Sequence, residues 1–444
     1  MNEWLERRFE LTKRGTSVKT EVVAGATTFA TMAYILFVQP VVLGAAGMDP
    51  GAVLVATCVA SALACLLMAF LANYPVALAP GMGHNFYFTY GVVLGMHVPW
   101  QVALGAIAIA GTIFVLLAGV GLREKLIEVI PSSLKRGIAA GIGLLITLVG
   151  LEYGGFVVHD PGTGLTLGSL HSPAALLTSF GLVLSIALLV RGVKSALLIG
   201  IFATTVASML AGFTKFTGVV SMPPSLAPTF GKLAPLQALT PAMAPVIFVF
   251  LFLALFDTVG TLVGVSEKAG LMTPDGKLPK AKEALLADSI STVVGAIAGT
   301  STVTSYIESA AGVSAGGRTG LASVVTAALL LLSLFFKPIV EMVSGSIHVG
   351  DAFFYPTIAP SLILVGYFMI ESIAGIPWSD AEEAIPAFLA VVVMPMALSI
   401  TEGIAFGFIA YSLIKIVKGK AAQTHWLVHL FAALFLLRYA FLKS

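Results

Sequence analysis

From about residue 20 onward the chain is a succession of apolar runs, each roughly 15–25 residues long, separated by short polar joints. A run of about 20 apolar residues crosses the hydrocarbon core of a bilayer as one helix. In lipid every backbone N–H and C=O must be satisfied within the protein, so repeated runs of this length restrict the chain to an α-helical bundle. Composition agrees: 58% of residues are hydrophobic and 10% charged, against about 25% charged in an ordinary soluble domain. The expected fold class is an all-α, polytopic membrane protein. Residues 1–19 mix Arg7, Arg8, Lys13, Arg14 and Lys19 with Glu3, Glu6 and Glu10, a pattern unlike a cleavable signal peptide, so the first helix is expected to be retained.

Spans are expected near 20–44, 51–72, 77–95, 100–120, 135–153, 173–191 and 194–213, then near 244–265, 283–299, 301–316, 320–341, 356–376, 384–399 and 402–417. The Pro-rich connection 214–243 divides these fourteen spans into two sets of seven. Lys and Arg gather in alternate joints: Arg123, Lys125, Lys135 and Arg136; Arg191 and Lys194; Lys268, Lys277, Lys280 and Lys282; Arg318; and Lys415, Lys418 and Lys420. The positive-inside rule puts these joints and the N-terminus in the cytoplasm, and the connection 214–243 outside. Seven is odd, so the two sets enter the membrane in opposite directions, as in an inverted 7+7 repeat. The stretch 425–441 is short and carries Arg438, and is expected to lie as an amphipathic helix at the cytoplasmic face. Both termini are then cytoplasmic, in a cell (inner) membrane.

Inverted-repeat transporters bind substrate near the midplane, where Gly or Pro interrupts corresponding helices. Two such breaks occur here, "NYPVALAPGMGHNFYFTYGVV" (73–93) and "GTSTVTSYIESAAGVSAGGRTG" (299–320). Asn85 and Glu308 fall at nearly the same distance from the start of their sets. A lone break is more often a kink, whereas two at matching positions favour a site. Asp257, within "FLFLALFDTVGT" (250–261), is an intramembrane carboxylate. Such groups are costly and usually functional, although a structural ion pair with a neighbouring helix is the alternative. His84 adjoins Asn85 and either reaches the pocket or packs. The strip "TSTVTS" (300–305) fits a binding surface or ordinary helix packing. Phe86, Tyr87 and Phe256 are candidate pocket walls, and Thr261 and Tyr306 share segments with the two acids. Glu371 and Glu402, near span ends, read better as interfacial charges.

Several classes are excluded. Cys58 and Cys65 lie in one apolar run and suggest neither disulfide nor metal, no other metal-ligand spacing occurs, and no cofactor is expected. Nucleotide-binding and metalloprotease motifs are missing, and no nucleophile stands beside a base, which argues against an enzyme. The net charge of +2 is spread over the loops, which argues against nucleic acid.

The blocks "AGATTFATMAYILFVQP" (24–40), "APGMGHNFYFTY" (79–90), "LFDTVGTLVGV" (255–265), "GTSTVTSYIESAAGVSAGGRTGL" (299–321) and "IPAFLAVVVMPMALSITEGIAFGF" (385–408) resemble the signature blocks of the AzgA-like purine permeases. These are the adenine, guanine and hypoxanthine branch of the nucleobase:cation symporters, and the resemblance covers nearly the whole chain. It implies a uracil-permease-like fold of fourteen segments, with segments 3 and 10 each broken into a short strand and a half-helix. It further implies a core domain (20–120 and 244–341), a gate domain (135–213 and 356–417) and an elevator motion between them. Position by position, Asp257 and Glu308 match the family's two substrate-site acids and Asn85 its polar residue in segment 3. His84 stands where the family commonly has an aliphatic residue, and Gln39 where it commonly has Asn.

The chemistry fits a purine independently. A carboxylate accepts two N–H donors from the edge of a flat base, and charge-assisted hydrogen bonds are roughly twice as strong as neutral ones. Asp257 and Glu308 are therefore expected to bind the base and carry a coupled proton, with sodium as the alternative ion. Helix-start N–H groups after Gly83 and near Tyr306 are further candidate donors. Other expected partners are membrane lipids and, as an assembly option, a second copy of the chain. The competing readings are an anion carrier of similar fold, sulfate- or bicarbonate-like, and, further off, a membrane-embedded enzyme or receptor.

Overall fold

The computed structural model describes residues 2–120, 131–160, 162, 164–273, 278–349 and 352–441, apart from the side chains of Asn2, Val120, Phe256 and Phe441. Arg123, Lys125 and Lys277, used above for orientation, lie outside the described residues, as does the ring of Phe256. Among the described residues, eight helical runs are long and apolar enough to cross a membrane.

After a short α1 (Asn2–Phe9), the first expected span is formed by α2 (Val18–Met32) and α3 (Ile35–Ala45), separated at Ala33–Tyr34. α4 (Pro50–Leu67) continues into a π-helical turn, Met68–Ala72. The third stretch is broken as expected: β1 (Leu78–Pro80), α5 (Met82–Phe86) and a π-helical turn, Tyr87–Leu94. Then come α6 (Trp100–Val120), α7 (Ser132–Tyr153), a hairpin of β2 (Val157–Asp160) and β3 (Gly164–Leu167), α8 (Pro173–Val190) and α9 (Ala196–Leu210). The connection carries one turn, α10 (Pro235–Ala238). The second half runs through α11 (Ala244–Lys268), α12 (Ala281–Ala298), the broken stretch β4 (Val303–Ser305) and α13 (Ser309–Ser314), then α14 (Gly320–Leu332) and α15 (Lys337–Val343). β5 (Ile347–Val349) and β6 (Ala352–Phe354) form a hairpin before α16 (Ala359–Ile370), α17 (Ala381–Met396), α18 (Ile400–Val417) and α19 (Trp426–Phe441).

Local chemistry sets several of these boundaries. Asp49 and Ser172 cap α4 and α8 by accepting from Ala52 N at 2.7 Å and Ala175 N at 3.2 Å, each followed by a proline at the first helical position, where its missing N–H costs nothing. A longer-range cap starts α14. The buried Glu21 of α2 accepts from Arg318 N (2.8 Å), Thr319 N (3.3 Å) and Ala322 N (3.2 Å), and Asn73 Oδ1 accepts from Gly320 N (2.8 Å). A carboxylate at a helix N-terminus is favoured by the dipole as well as by the free N–H groups.

Extended backbone in the middle of the bundle needs partners, and the two broken stretches supply them to each other. β1 and β4 pair antiparallel with Leu78 opposite Ser305, Ala79 opposite Thr304 and Pro80 opposite Val303. The ladder is extended by Gly81 N to Thr302 O (3.0 Å) and Tyr306 N to Ala77 O (2.9 Å). The backbone groups are thus satisfied inside protein.

The helices pack in two sets. α2, α4, α6, α11, α12, α13 and α14 contact one another, while α7 contacts α16, α17 and α18, with α8 and α9 alongside. Glycines let α7 sit close to its neighbours: a Cβ at Gly137 would lie 2.8 Å from Ala387 Cα, and one at Gly143 2.9 Å from Gly366 O. A charge clasp joins α7, α17 and α18: Lys415 Nζ lies 3.0 Å from both Glu382 and Glu383, Lys420 reaches Glu382 at 2.7 Å, and Ser133 donates to Glu383.

The stretch 425–441, expected as an amphipathic helix at the cytoplasmic face, is a helix, α19, and it packs antiparallel along α18. Ser412 and His429 share a hydrogen bond of 2.7 Å, while Arg438 pairs with Glu402 at 2.9 Å near the start of α18. Phe431 stacks on Phe248 of α11, with ring centroids 3.6 Å apart.

Candidate functional site

Asp257 sits mid-way along α11, and Glu308 immediately precedes α13, where the chain leaves β4. Both line one cavity of about 160 Å³, small beside the roughly 300–1,000 Å³ of pockets for drug-sized ligands. Gly81, Met82 and Gly83 line it from the start of α5, Thr304 to Ile307 from β4 and beyond, and Thr261 from α11. The opposite wall is apolar and comes from the other helix set: Val365, Phe368 and Met369 of α16. Among the described residues no Lys or Arg lines the cavity.

Each acid has a partner from the first half of the chain. Tyr34, at the break between α2 and α3, donates its hydroxyl to Glu308 Oε1 at 2.6 Å. His84 is fully buried, with Nδ1 3.4 Å from Asp257 Oδ2, while the Asp257 side chain remains 44% exposed toward the cavity. The Tyr306 hydroxyl donates to Pro80 O at 2.5 Å and so fastens the two broken stretches.

A third acid lies behind the first two. Asp288 of α12, fully buried, accepts from the Thr258 hydroxyl at 2.6 Å, Ser305 N at 2.9 Å and the Ser305 hydroxyl at 2.7 Å. It ties α11 to β4, the elements that carry Asp257 and lead to Glu308.

Of the expected site residues, Asp257, Glu308, Thr261 and Tyr306 share the cavity. Asn85 is buried away from it and accepts from the Ser301 hydroxyl. Gln39 Nε2 donates to Thr300 and Ser301 at 3.0 and 3.2 Å, so this part of the hydroxyl strip packs the broken segments together and does not face the cavity. Phe86, expected as a pocket wall, is also buried; its ring stacks on Tyr90 at 5.6 Å and 17°. The N–H of Tyr306 is consumed by Ala77 O and is no free donor. Sequence reasoning missed Tyr34, Asp288 and the α16 wall. Asp288 carried the same signal as Asp257, a carboxylate inside an expected span, and was readable by the same rule. Among the described residues no group of three or more His, Cys, Asp or Glu could hold a metal.

The fold and the cavity fit a membrane transporter with a small cavity lined by two carboxylates. A family model described as "Permease family" (Xan_ur_permease) matches residues 19–406, and the chain belongs to that family. A Methanocaldococcus jannaschii relative is 48% identical over 443 residues, covering 100% of this chain and 99% of its own. The guanine/hypoxanthine permease PbuG of Bacillus subtilis is 45% identical (98% and 99% covered), and the adenine permease AdeP of Escherichia coli 44% (99% and 97%). The resemblance to purine permeases drawn from the signature blocks therefore holds. Among solved structures, the transmembrane domain of a cyanobacterial bicarbonate transporter, BicA, superposes with a TM-score of 0.66 at 15% identity, covering 87% of this chain and 97% of that one. At that identity the likeness speaks for the fold alone.

Proposed function

We propose that this chain imports purine nucleobases such as adenine, guanine and hypoxanthine, by proton symport through an elevator-type motion. The observation that carries the reading is the pairing of Asp257 and Glu308 on one small cavity lined by no Lys or Arg among the described residues. Two carboxylates suit the N–H edges of a neutral flat base and repel an anion, which disfavours a sulfate- or bicarbonate-like substrate despite the shared fold. The cavity's size favours a free base over a nucleoside. Relatives named as adenine and guanine/hypoxanthine permeases at 44–45% identity support the same substrate class.

Fourteen segments in an inverted 7+7 repeat are supported by the antiparallel pairing of β1 with β4, each followed by a short helix. Division into a core (segments 1–4 and 8–11) and a gate (5–7 and 12–14) is supported by the two packing sets. The site lies on their boundary, with the polar groups on one set and a smooth apolar wall on the other, the arrangement that sliding requires. A proton entering with the base offsets carboxylate charge in a dry site, which supports proton coupling.

The test is uptake of each labelled base by permease-null cells expressing the chain, with and without a protonophore. Saturable purine uptake that the protonophore abolishes is expected. Uptake of sulfate or bicarbonate without purine uptake would refute the reading.

A further inference from the structure

We propose that the coupled proton is carried on His84, behind Asp257, and that Asp257 stays a carboxylate facing the base. This deepens the purine-symport reading and rests on it. His84 is fully buried, and among the described residues neither ring nitrogen has a hydrogen-bond partner apart from the 3.4 Å approach of Nδ1 to Asp257 Oδ2. A buried polar atom without a partner calls for an explanation, and a redox, catalytic or ion-binding role is among those that native proteins supply. The ring is held there by its surroundings. A Cβ at Gly81 would lie 2.5 Å from His84 Nδ1, so the imidazole is folded back over a backbone that only glycine leaves open.

The geometry separates two duties that a lone carboxyl would have to combine. Protonating Asp257 itself would turn one of its two oxygens into a donor and leave a single, uncharged acceptor for the purine N–H edge. With the proton on His84, the pair passes from carboxylate and neutral imidazole, net −1, to carboxylate and imidazolium, net 0. Oδ2 then faces His84, and the other carboxylate oxygen remains available to the base.

The groups around the ring leave Asp257 as its electrostatic partner. α3 carries no titratable residue, and α7 meets α5 through Ile142 at Gly83. The turn after α5 carries Tyr87 and Tyr90, which are phenols. Tyr306 and Glu308 lie across the cavity, with Glu308 held by Tyr34, and Asp288 is engaged by Thr258 and Ser305.

The test uses purified protein in liposomes with the membrane potential clamped and labelled hypoxanthine outside. An inward gradient of one pH unit sustains roughly tenfold accumulation at one proton per base, since a pH unit is about 1.4 kcal/mol and that is a factor of ten. The parent should approach that level. His84→Gln, whose amide N–H can still reach Asp257, should exchange hypoxanthine across the membrane but only equilibrate it, and His84→Leu should do the same with weaker binding. Accumulation by His84→Gln at the parent's level and with its pH profile would overturn the proposal. So would a parent whose hypoxanthine uptake ignores the proton gradient. No hypoxanthine uptake by the parent at all would instead sink the purine reading beneath it. Should the variants fail to fold, nitrogen-15 histidine resonances of the parent decide. One of the seven imidazoles must become doubly protonated when purine binds, and constancy of all of them overturns the assignment.

Discussion

At the scale of single residues, the two acids differ in what holds them, and their variants should differ accordingly. Asp257→Ala leaves purine N–H donors without an acceptor in a desolvated cavity, a cost of about 1–3 kcal/mol. Calorimetry on the purified variant should show affinity for hypoxanthine reduced roughly 5- to 150-fold, at 1.4 kcal/mol per decade, with expression intact. Unaltered affinity would make the carboxylate structural. Tyr34→Phe removes a single 2.6 Å hydrogen bond and leaves the ring in place, so Glu308 keeps its surroundings but loses its tether. A bond to a charged group contributes about 1.5–3 kcal/mol, so if the tether holds Glu308 in the pose that meets the base, purine affinity should fall by up to roughly ten- to a hundredfold. Equal affinity in the phenylalanine variant would remove Tyr34 from the site. Asp257 and Glu308 were legible in the sequence because a charge in an apolar run has few explanations. Tyr34 was not, because a tyrosine in such a run gives no local sign of where its hydroxyl points. Asn85 and Phe86 show the converse. The Gly-Pro break was readable, yet which side chains turn into the cavity and which into the packing between β1 and β4 depends on the pairing partner far along the chain.

At the scale of elements, the strand pair and the last helix are the informative cases. β4 is held from behind by Asp288, so Asp288→Ala strands Ser305 N–H and two hydroxyls in a buried position. Breaking a buried charged network costs about 3–5 kcal/mol. The unfolding midpoint in detergent should drop clearly, with Asp288→Asn recovering part of the loss through its remaining acceptor oxygen. An unshifted midpoint in the alanine variant would mean that β4 is positioned by other contacts. For α19, the reading of an in-plane helix rested on its short length and on Arg438. The structure supplies what the sequence did not show: Glu402 neutralises Arg438, and the Tyr439 hydroxyl donates to the same carboxylate. That pairing lowers the cost of placing the arginine beside α18. If Lys415, Lys418 and Lys420 lie at the cytoplasmic end of α18, as the positive-inside rule expects, a helix returning along it would carry the C-terminus to the other side. Alkaline phosphatase fused after Ser444 should be active and a fluorescent protein there dark. Bright cytoplasmic fluorescence would restore the in-plane placement.

At the scale of the whole molecule, a succession of apolar helices was legible because lipid allows few choices, and the two packing sets were not, because every apolar helix face looks alike until its neighbour is known. The motion proposed between these sets can be tested where they touch. Phe37 of α3 and Phe202 of α9 meet edge to face with ring centroids 5.7 Å apart, one on each side of the boundary. Neither residue lines the cavity, so changing them leaves the acids, Tyr34 and His84 in place. The native Cys58 and Cys65 are fully buried and shielded from aqueous thiol reagents. A Phe37→Cys, Phe202→Cys double variant, bridged by a short bifunctional thiol reagent, fixes the sets in the observed arrangement. If transport requires one set to slide past the other, the bridged protein should bind hypoxanthine yet transport none, and a reagent with a reducible spacer should let transport return on reduction. Each single variant under the same treatment provides the control for modification alone. Undiminished uptake by a fully bridged protein would show that the substrate crosses without relative movement at this boundary, and the elevator reading would give way to a local gate at α16.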